Sequence, residues 1–90
     1  MPAYRVIVSG KVQGVGFRAY TKRVAESYGL DGWVKNTPGG TVEIFVQGEK
    51  DVVWSFLREL SDGPSLATVK AIEIKKEAES HEERGFFIRY

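Results

Sequence analysis

The apolar positions change period several times along the chain, and each change marks an element. Residues 3–12 are rich in β-branched types and partly alternate, which predicts a first strand. From Phe17 to Tyr28 the side chains of Phe17, Tyr20, Val24, Ala25 and Tyr28 recur at spacings of three and four, one face of a helix, and Gly29 is placed to end it. Gly32 to Asn36 reads as a short second strand. Thr37-Pro38-Gly39-Gly40 then supplies a turn with Pro second and Gly third, the type II preference. In Thr41 to Gly48, Val42, Ile44 and Val46 alternate with Thr41, Glu43 and Gln47, so this third strand has one buried face. A second helix follows, with Glu49 and Asp51 in its first turn and Val52, Val53, Phe56, Leu57 and Leu60 as its buried stripe. Asp62-Gly63-Pro64 stops it. Ala67 to Lys76 reads as a strand, the charged run from Lys75 to Arg84 as a loop, and Gly85 to Tyr90 as a short last strand.

The order strand, helix, strand, strand, helix, strand, plus a terminal extra strand, is the ferredoxin-like double βαβ pattern. It predicts an α+β two-layer sandwich with a mostly antiparallel sheet and both helices on one face. Right-handed crossovers put the third strand between the first and second. The carboxyl ends of the first and second strands then share one sheet edge, roughly 10 Å apart, two strand spacings. The loop at residues 11–17 and Asn36 should therefore face a common space.

Composition narrows the picture. Ninety residues with 42% hydrophobic and 12% aromatic content support one globular domain spanning 1–90. The longest apolar runs are three residues, such as Phe86-Phe87-Ile88, far short of a membrane span or a signal-peptide core. No cysteine is present, so disulfides, thiolate metal sites and cysteine nucleophiles are excluded, and a cytoplasmic setting fits. The net charge is +1, yet Lys and Arg outnumber Asp and Glu six to two in residues 1–40 and are outnumbered ten to seven in residues 41–90. An anion is thus drawn toward the N-terminal half.

The candidate chemistry lies there. Gly10-Lys11-Val12-Gln13-Gly14-Val15-Gly16-Phe17-Arg18 leaves a strand and enters a helix. Its glycines permit the positive φ angles that turn successive N–H groups inward, and the helix start adds free donors and a favourable dipole for phosphate. A bulged turn without a ligand has the same composition. The run is neither a Walker A loop nor a dinucleotide fingerprint. Arg18 stands where a planar guanidinium could hold two phosphate oxygens, although a solvated surface arginine would occupy the same position. Asn36, the chain's single asparagine, precedes Thr-Pro at a strand end, where its side chain could bond its own turn or hold a water opposite the glycine loop. His81 sits in a polar run and reads as exposed, while Trp33, Trp54, Phe45, Phe56 and Phe86 read as core or sheet-face packing.

Two segments carry a resemblance. Val8 to Arg18 resembles the first signature of the acylphosphatase family, and Gly32-Trp33-Val34-Lys35-Asn36, followed by Gly40, Val42 and Gly48, resembles the second. The likeness covers essentially the whole chain; Ser65 departs from a common proline, outside the site. The resemblance implies hydrolysis of acyl phosphates without metal or cofactor, with the backbone N–H groups of Gln13, Gly14, Val15, Gly16, Phe17 and Arg18 cradling the phosphate. It further implies that Arg18 binds phosphate oxygens, that Asn36 orients the attacking water, and that the substrate phosphate takes the water's proton. A small acyl phosphate as partner, inorganic phosphate as product and competitive inhibitor, a monomer, and no nucleic acid or membrane complete the expectation.

Two rivals remain at this point. RNA-recognition domains share the element order, and Gly16-Phe17-Arg18-Ala19-Tyr20 superficially looks like their aromatic motif, but that motif belongs on the third strand, where only Phe45 is aromatic. The other rival is a non-catalytic phosphate- or acyl-phosphate-binding domain that works within a larger assembly, which a 90-residue chain starting at Met1 disfavours.

Overall fold

A computed structural model describes residues 1–90 and gives the order β1 (Ala3–Lys11), α1 (Phe17–Ser27), β2 (Asp31–Asn36), β3 (Val42–Gln47), α2 (Lys50–Asp62), β4 (Thr68–Glu77) and β5 (Phe86–Arg89). The five strands form one sheet in the order β4-β1-β3-β2-β5. β3 is antiparallel to both β1 and β2, which makes those two parallel to each other, and β5 joins the outer side of β2 in parallel. This is the ferredoxin-like sandwich that the periodicity predicts.

Alternation decides which face is covered. Tyr4, Val6 and Val8 of β1, Val34 of β2 and Val42, Ile44 and Val46 of β3 are buried together with Phe17, Val24 and Ala25 of α1 and Val53, Phe56, Leu57 and Leu60 of α2. Both helices therefore lie on one sheet face, and their removal from water is the main force holding the layers together. On α1, Thr21 replaces Tyr20 in the fully buried stripe and satisfies its hydroxyl by donating to Phe17 O at 2.8 Å. Tyr20 is half-buried and donates its hydroxyl to Glu59 O on α2 at 2.9 Å. Burial, then the charges of Glu59 and Asp62, raise this phenol's pKa above its ordinary value, so it stays a donor and ties α1 to α2.

The opposite face carries a small cluster of Ala3, Trp33 and Phe45. The two rings stack with centroids 6.3 Å apart, and the Arg5, Lys35 and Arg89 side chains lie over Trp33 at 5.1, 5.5 and 4.6 Å. Arg5 is itself anchored by Glu43 at 2.7 Å and Glu77 at 3.0 Å. The aromatic pair is roofed by cations that hold their own acids, which removes it as an open platform for stacking bases.

Several local expectations are corrected. β4 keeps Lys75 and Lys76, paired with Arg5 and Tyr4 of β1, and continues one residue past the expected end because Ala3 offers a partner to Glu77. The turn after β2 is not type II: positive φ falls on Gly40 (89°) instead of Gly39, and Thr37 N–H bonds Thr41 O at 2.9 Å. This is the three-residue hairpin loop in which a left-handed residue follows a tight turn. Glu49 is the residue before α2 and only Asp51 lies in its first turn, Val52 is half-buried, and Trp54 is 39% exposed beside Tyr4 instead of in the core.

Adjacent residues of β5 test its docking. Phe86 is 2% exposed and packs on Phe56 with centroids 6.1 Å apart, whereas Phe87 is 54% exposed. Phe86→Ala is expected to cost about 3–5 kcal/mol in urea unfolding and Phe87→Ala to stay within about 0.5 kcal/mol. Equal costs would show that β5 does not dock in this register.

Candidate active site

The site grows from the way β1 ends. The β1–β4 register shifts between Ser9 and Gly10, and Gly10 has φ 125° with β4 so close that a Cβ would lie 2.1 Å from Thr68 O. Glycine is required there, and the bulge turns the chain out of the sheet toward α1. Gly14 (φ 73°) and Gly16 (φ 79°) are both left-handed and flank Val15, the alternation that points successive N–H groups into one concavity.

None of the N–H groups from Gln13 to Ala19 finds an acceptor in the protein. Those from Phe17 onward are the free donors of the first turn of α1. Gly16 precedes this helix without a side-chain cap, and no acid lies in its first turn, in contrast to Asp51 in α2. A side-chain cap is worth about 1 kcal/mol, and α1 forgoes it. Its positive end and its free donors favour an anion.

The sheet then delivers the second half of the site. Val8 of β1 and Asn36 of β2 both pair with Val42 of β3, so Asn36 sits in the strand row from which β1 runs on into the glycine loop. Asn36 falls on the same side of β2 as the buried Val34, the side covered by α1. Its amide makes no hydrogen bond to the protein and its Oδ1 is buried. The turn that could have claimed it is held otherwise, by the Thr37 and Thr41 hydroxyls at 2.6 Å and by Thr37 N–H to Thr41 O.

Gly14, Gly16, Arg18 and Asn36 line one cleft of about 200 Å³, with Val12, Phe17, Ala19, Ile88 and Tyr90. Arg18 is half-buried, has no carboxylate partner, donates through Nη1 to Arg89 O at 3.3 Å, and lies under the Tyr90 ring at 4.7 Å. The guanidinium is thereby steered from the β5 side without losing its charge. The cleft contains no carboxylate, imidazole, amine or thiol side chain. Of the residues singled out in the sequence, Gly14, Gly16, Phe17, Arg18 and Asn36 line the cleft, Gln13 and Val15 lie in the same loop but not in its lining, and His81 stays outside, exposed in the loop before β5. The lining also takes in Val12, Ala19, Ile88 and Tyr90, which sequence reasoning did not assign to the site, and the Gln13 side chain makes a contact that sequence reasoning missed. Ile88 and Tyr90 arrive because β5 pairs with β2, and the Gln13 side chain reaches across to the β2–β3 turn. Only their neighbourhood in the two signature segments and the last strand could have hinted at them.

Backbone donors without acceptors at a helix N-terminus, an arginine without a carboxylate partner and a free amide meet at one edge of a ferredoxin-like sandwich, a set of groups suited to an anion. The acylphosphatase family model matches residues 4–88, and an acylphosphatase of Archaeoglobus fulgidus is 49% identical over 90 residues, all of both chains. The crystal structure of acylphosphatase from Bacillus subtilis superposes with a TM-score of 0.95 at 37% identity, covering 100% of each chain. Full-length HypF, solved with phosphate and nucleotide bound, is similar with a TM-score of 0.85 at 32% identity over 99% of this chain and 12% of its own. The chain belongs to the acylphosphatase family, enzymes of the hydrolase class that act on acid anhydrides.

Titration of ¹⁵N-labelled protein with inorganic phosphate should move the amide resonances of Gln13 to Ala19 most. If the largest shifts fell instead among residues 75–84, where Lys75, Lys76, His81 and Arg84 cluster, the cleft would not be the anion site.

Proposed function

We propose that this chain hydrolyses acyl phosphates by direct attack of water on phosphorus, with the phosphate held by the N–H groups of Gln13 to Arg18 and by Arg18, and the water oriented by Asn36. The observation that carries this reading is the run of backbone donors without acceptors from Gln13 to Ala19, in a loop whose Gly14, Gly16, Phe17 and Arg18 line the same cleft as the partnerless Asn36 amide. Donors fixed by the fold need no reorganisation as charge builds on the phosphoryl oxygens, and a water held by Asn36 is positioned before it reacts. The new bond joins the water oxygen to phosphorus, and the bond from phosphorus to the acyl oxygen breaks.

The residues of the cleft account for the choice of substrate. No side chain in it is suited to take the water's proton, so the proton passes to a phosphoryl oxygen of the substrate. None protonates the leaving group either. A carboxylate leaves unaided because its basicity is low, whereas an alkoxide from a phosphate ester would need an acid. Catalysis is then positioning plus charge stabilisation through a loose transition state. Inorganic phosphate, which fits the same donors, acts as a competitive inhibitor; the enzyme works as a cytoplasmic monomer without metal or cofactor.

Two variants separate holding from positioning, assayed on benzoyl phosphate with EDTA present, which should leave the wild-type rate unchanged. Arg18→Ala should weaken inhibition by phosphate and lower kcat by roughly 10³, with little rescue by Arg18→Lys, because a point charge cannot reproduce the guanidinium fork. Asn36→Ala should keep the phosphate inhibition constant within about threefold while kcat falls on the order of 10². Near wild-type turnover in either alanine variant removes that residue from the mechanism. A folded wild-type chain that binds phosphate without turnover would favour the binding-domain reading.

A further inference from the structure

The cradle and Asn36 belong to different elements, and one side chain spans them. Gln13 Nε2 donates to Thr37 O at 2.9 Å and to Thr41 O at 2.8 Å, so a single NH2 group uses both protons on the two carbonyls that flank the β2–β3 turn. The chemistry fixes the orientation of the amide, since two carbonyl oxygens accept only from nitrogen. Gln13 is also the first residue of the donor run, and Thr37 follows Asn36 directly. Val12 and Phe17 pack into the core at the base of the loop, but no other hydrogen bond spans this gap. No backbone bond crosses from residues 12–16 to residues 36–41, and the turn's remaining bonds, Thr37 N–H to Thr41 O and the paired Thr37 and Thr41 hydroxyls, are internal to it.

We infer that the Gln13 side chain is a positioning residue that sets the distance between the phosphate cradle and the water-holding Asn36; this rests on the hydrolytic reading above. Its amide acts on neither phosphate nor water. It fixes the separation of two elements whose alignment decides whether water lies in line with the bond that breaks, and a displacement of about 1 Å there is worth on the order of 10² in rate. Because the N–H groups of the cradle are set by Gly14, Gly16 and the start of α1, loss of the tether leaves phosphate binding largely intact.

Two near-isosteric variants test this. Gln13→Met removes the donor at every pH, and Gln13→Glu replaces it with a carboxylate that faces two carbonyls when ionised and can donate one hydrogen bond when protonated. Gln13 is half-buried in a loop outside every strand and helix, so both variants should fold, as a thermal melt checks. Expected at pH 7 is a fall in kcat on benzoyl phosphate on the order of 10² in both, with the Kd for inorganic phosphate within about threefold of wild type. As pH falls from 7 toward 4.5, kcat of Gln13→Glu relative to wild type should rise, while the same ratio for Gln13→Met stays flat. Turnover of both variants within about threefold of wild type, a parallel loss of phosphate binding, or a Gln13→Glu ratio that ignores pH would each overturn the assignment. If one variant failed to fold, the other's split between kcat and phosphate Kd would decide. Wild-type protein that hydrolysed nothing would overturn the functional reading and Gln13's part with it, whereas active wild type with unaffected variants would overturn Gln13's part alone.

Discussion

The uncapped first turn of α1 is the constraint on which the rest of this structure depends. A helix start that lacks both a capping side chain and an acid, with Gly16 in the left-handed region before it, is poorly stabilised by its own sequence. It stands because Phe17, Thr21, Val24 and Ala25 are pressed onto the sheet and because Tyr20 is tied to α2. Tertiary packing thus supports a set of backbone donors that local structure leaves unsatisfied. That is the usual form in which a functional site departs from the most stable local choice.

The sheet converts this local feature into a site. With β3 antiparallel between β1 and β2, the end of β1, the start of α1 and the end of β2 come to one edge, and parallel pairing adds the end of β5. Each strand end brings a different kind of group: donors from the glycine loop after β1, the Asn36 amide from β2, and the Arg89 carbonyl of β5 with the Tyr90 ring just beyond it against Arg18. The positive charge that favours an anion comes from α1 and its own arginine, consistent with the basic N-terminal half of the chain. The acids of the second half are partly engaged on the far face, where Glu43 and Glu77 hold Arg5.

Much of this was legible in the sequence, for definite reasons. Periods of two and of three to four marked β3 and both helices, since their one-sided burial leaves an imprint, and the element order constrained the sheet enough to place Asn36 opposite the glycine loop. What escaped depends on contacts between distant segments. β4 runs to Glu77, one residue past the strand that the sequence marks as ending at Lys76, because β1 supplies a partner there, Ala3. The Thr37–Gly40 turn followed the hairpin's twist and put the left-handed residue on Gly40, against the local preference of Pro38-Gly39. Trp54 reads as packing by its size, yet on α2 it lies outside the buried residues and stays 39% exposed beside Tyr4. Gln13 and Tyr90 act across 24 or more residues of chain, and no window of sequence contains both ends of such a contact.

The central claim is that the water held by Asn36 attacks phosphorus, and hydrolysis of benzoyl phosphate in H₂¹⁸O tests it most directly. Mass spectrometry of both products shows which atom was attacked. Attack at phosphorus puts one labelled oxygen in the inorganic phosphate and none in the benzoate. Label in the benzoate would mean attack at the acyl carbon, with the phosphate as leaving group, and would contradict the account.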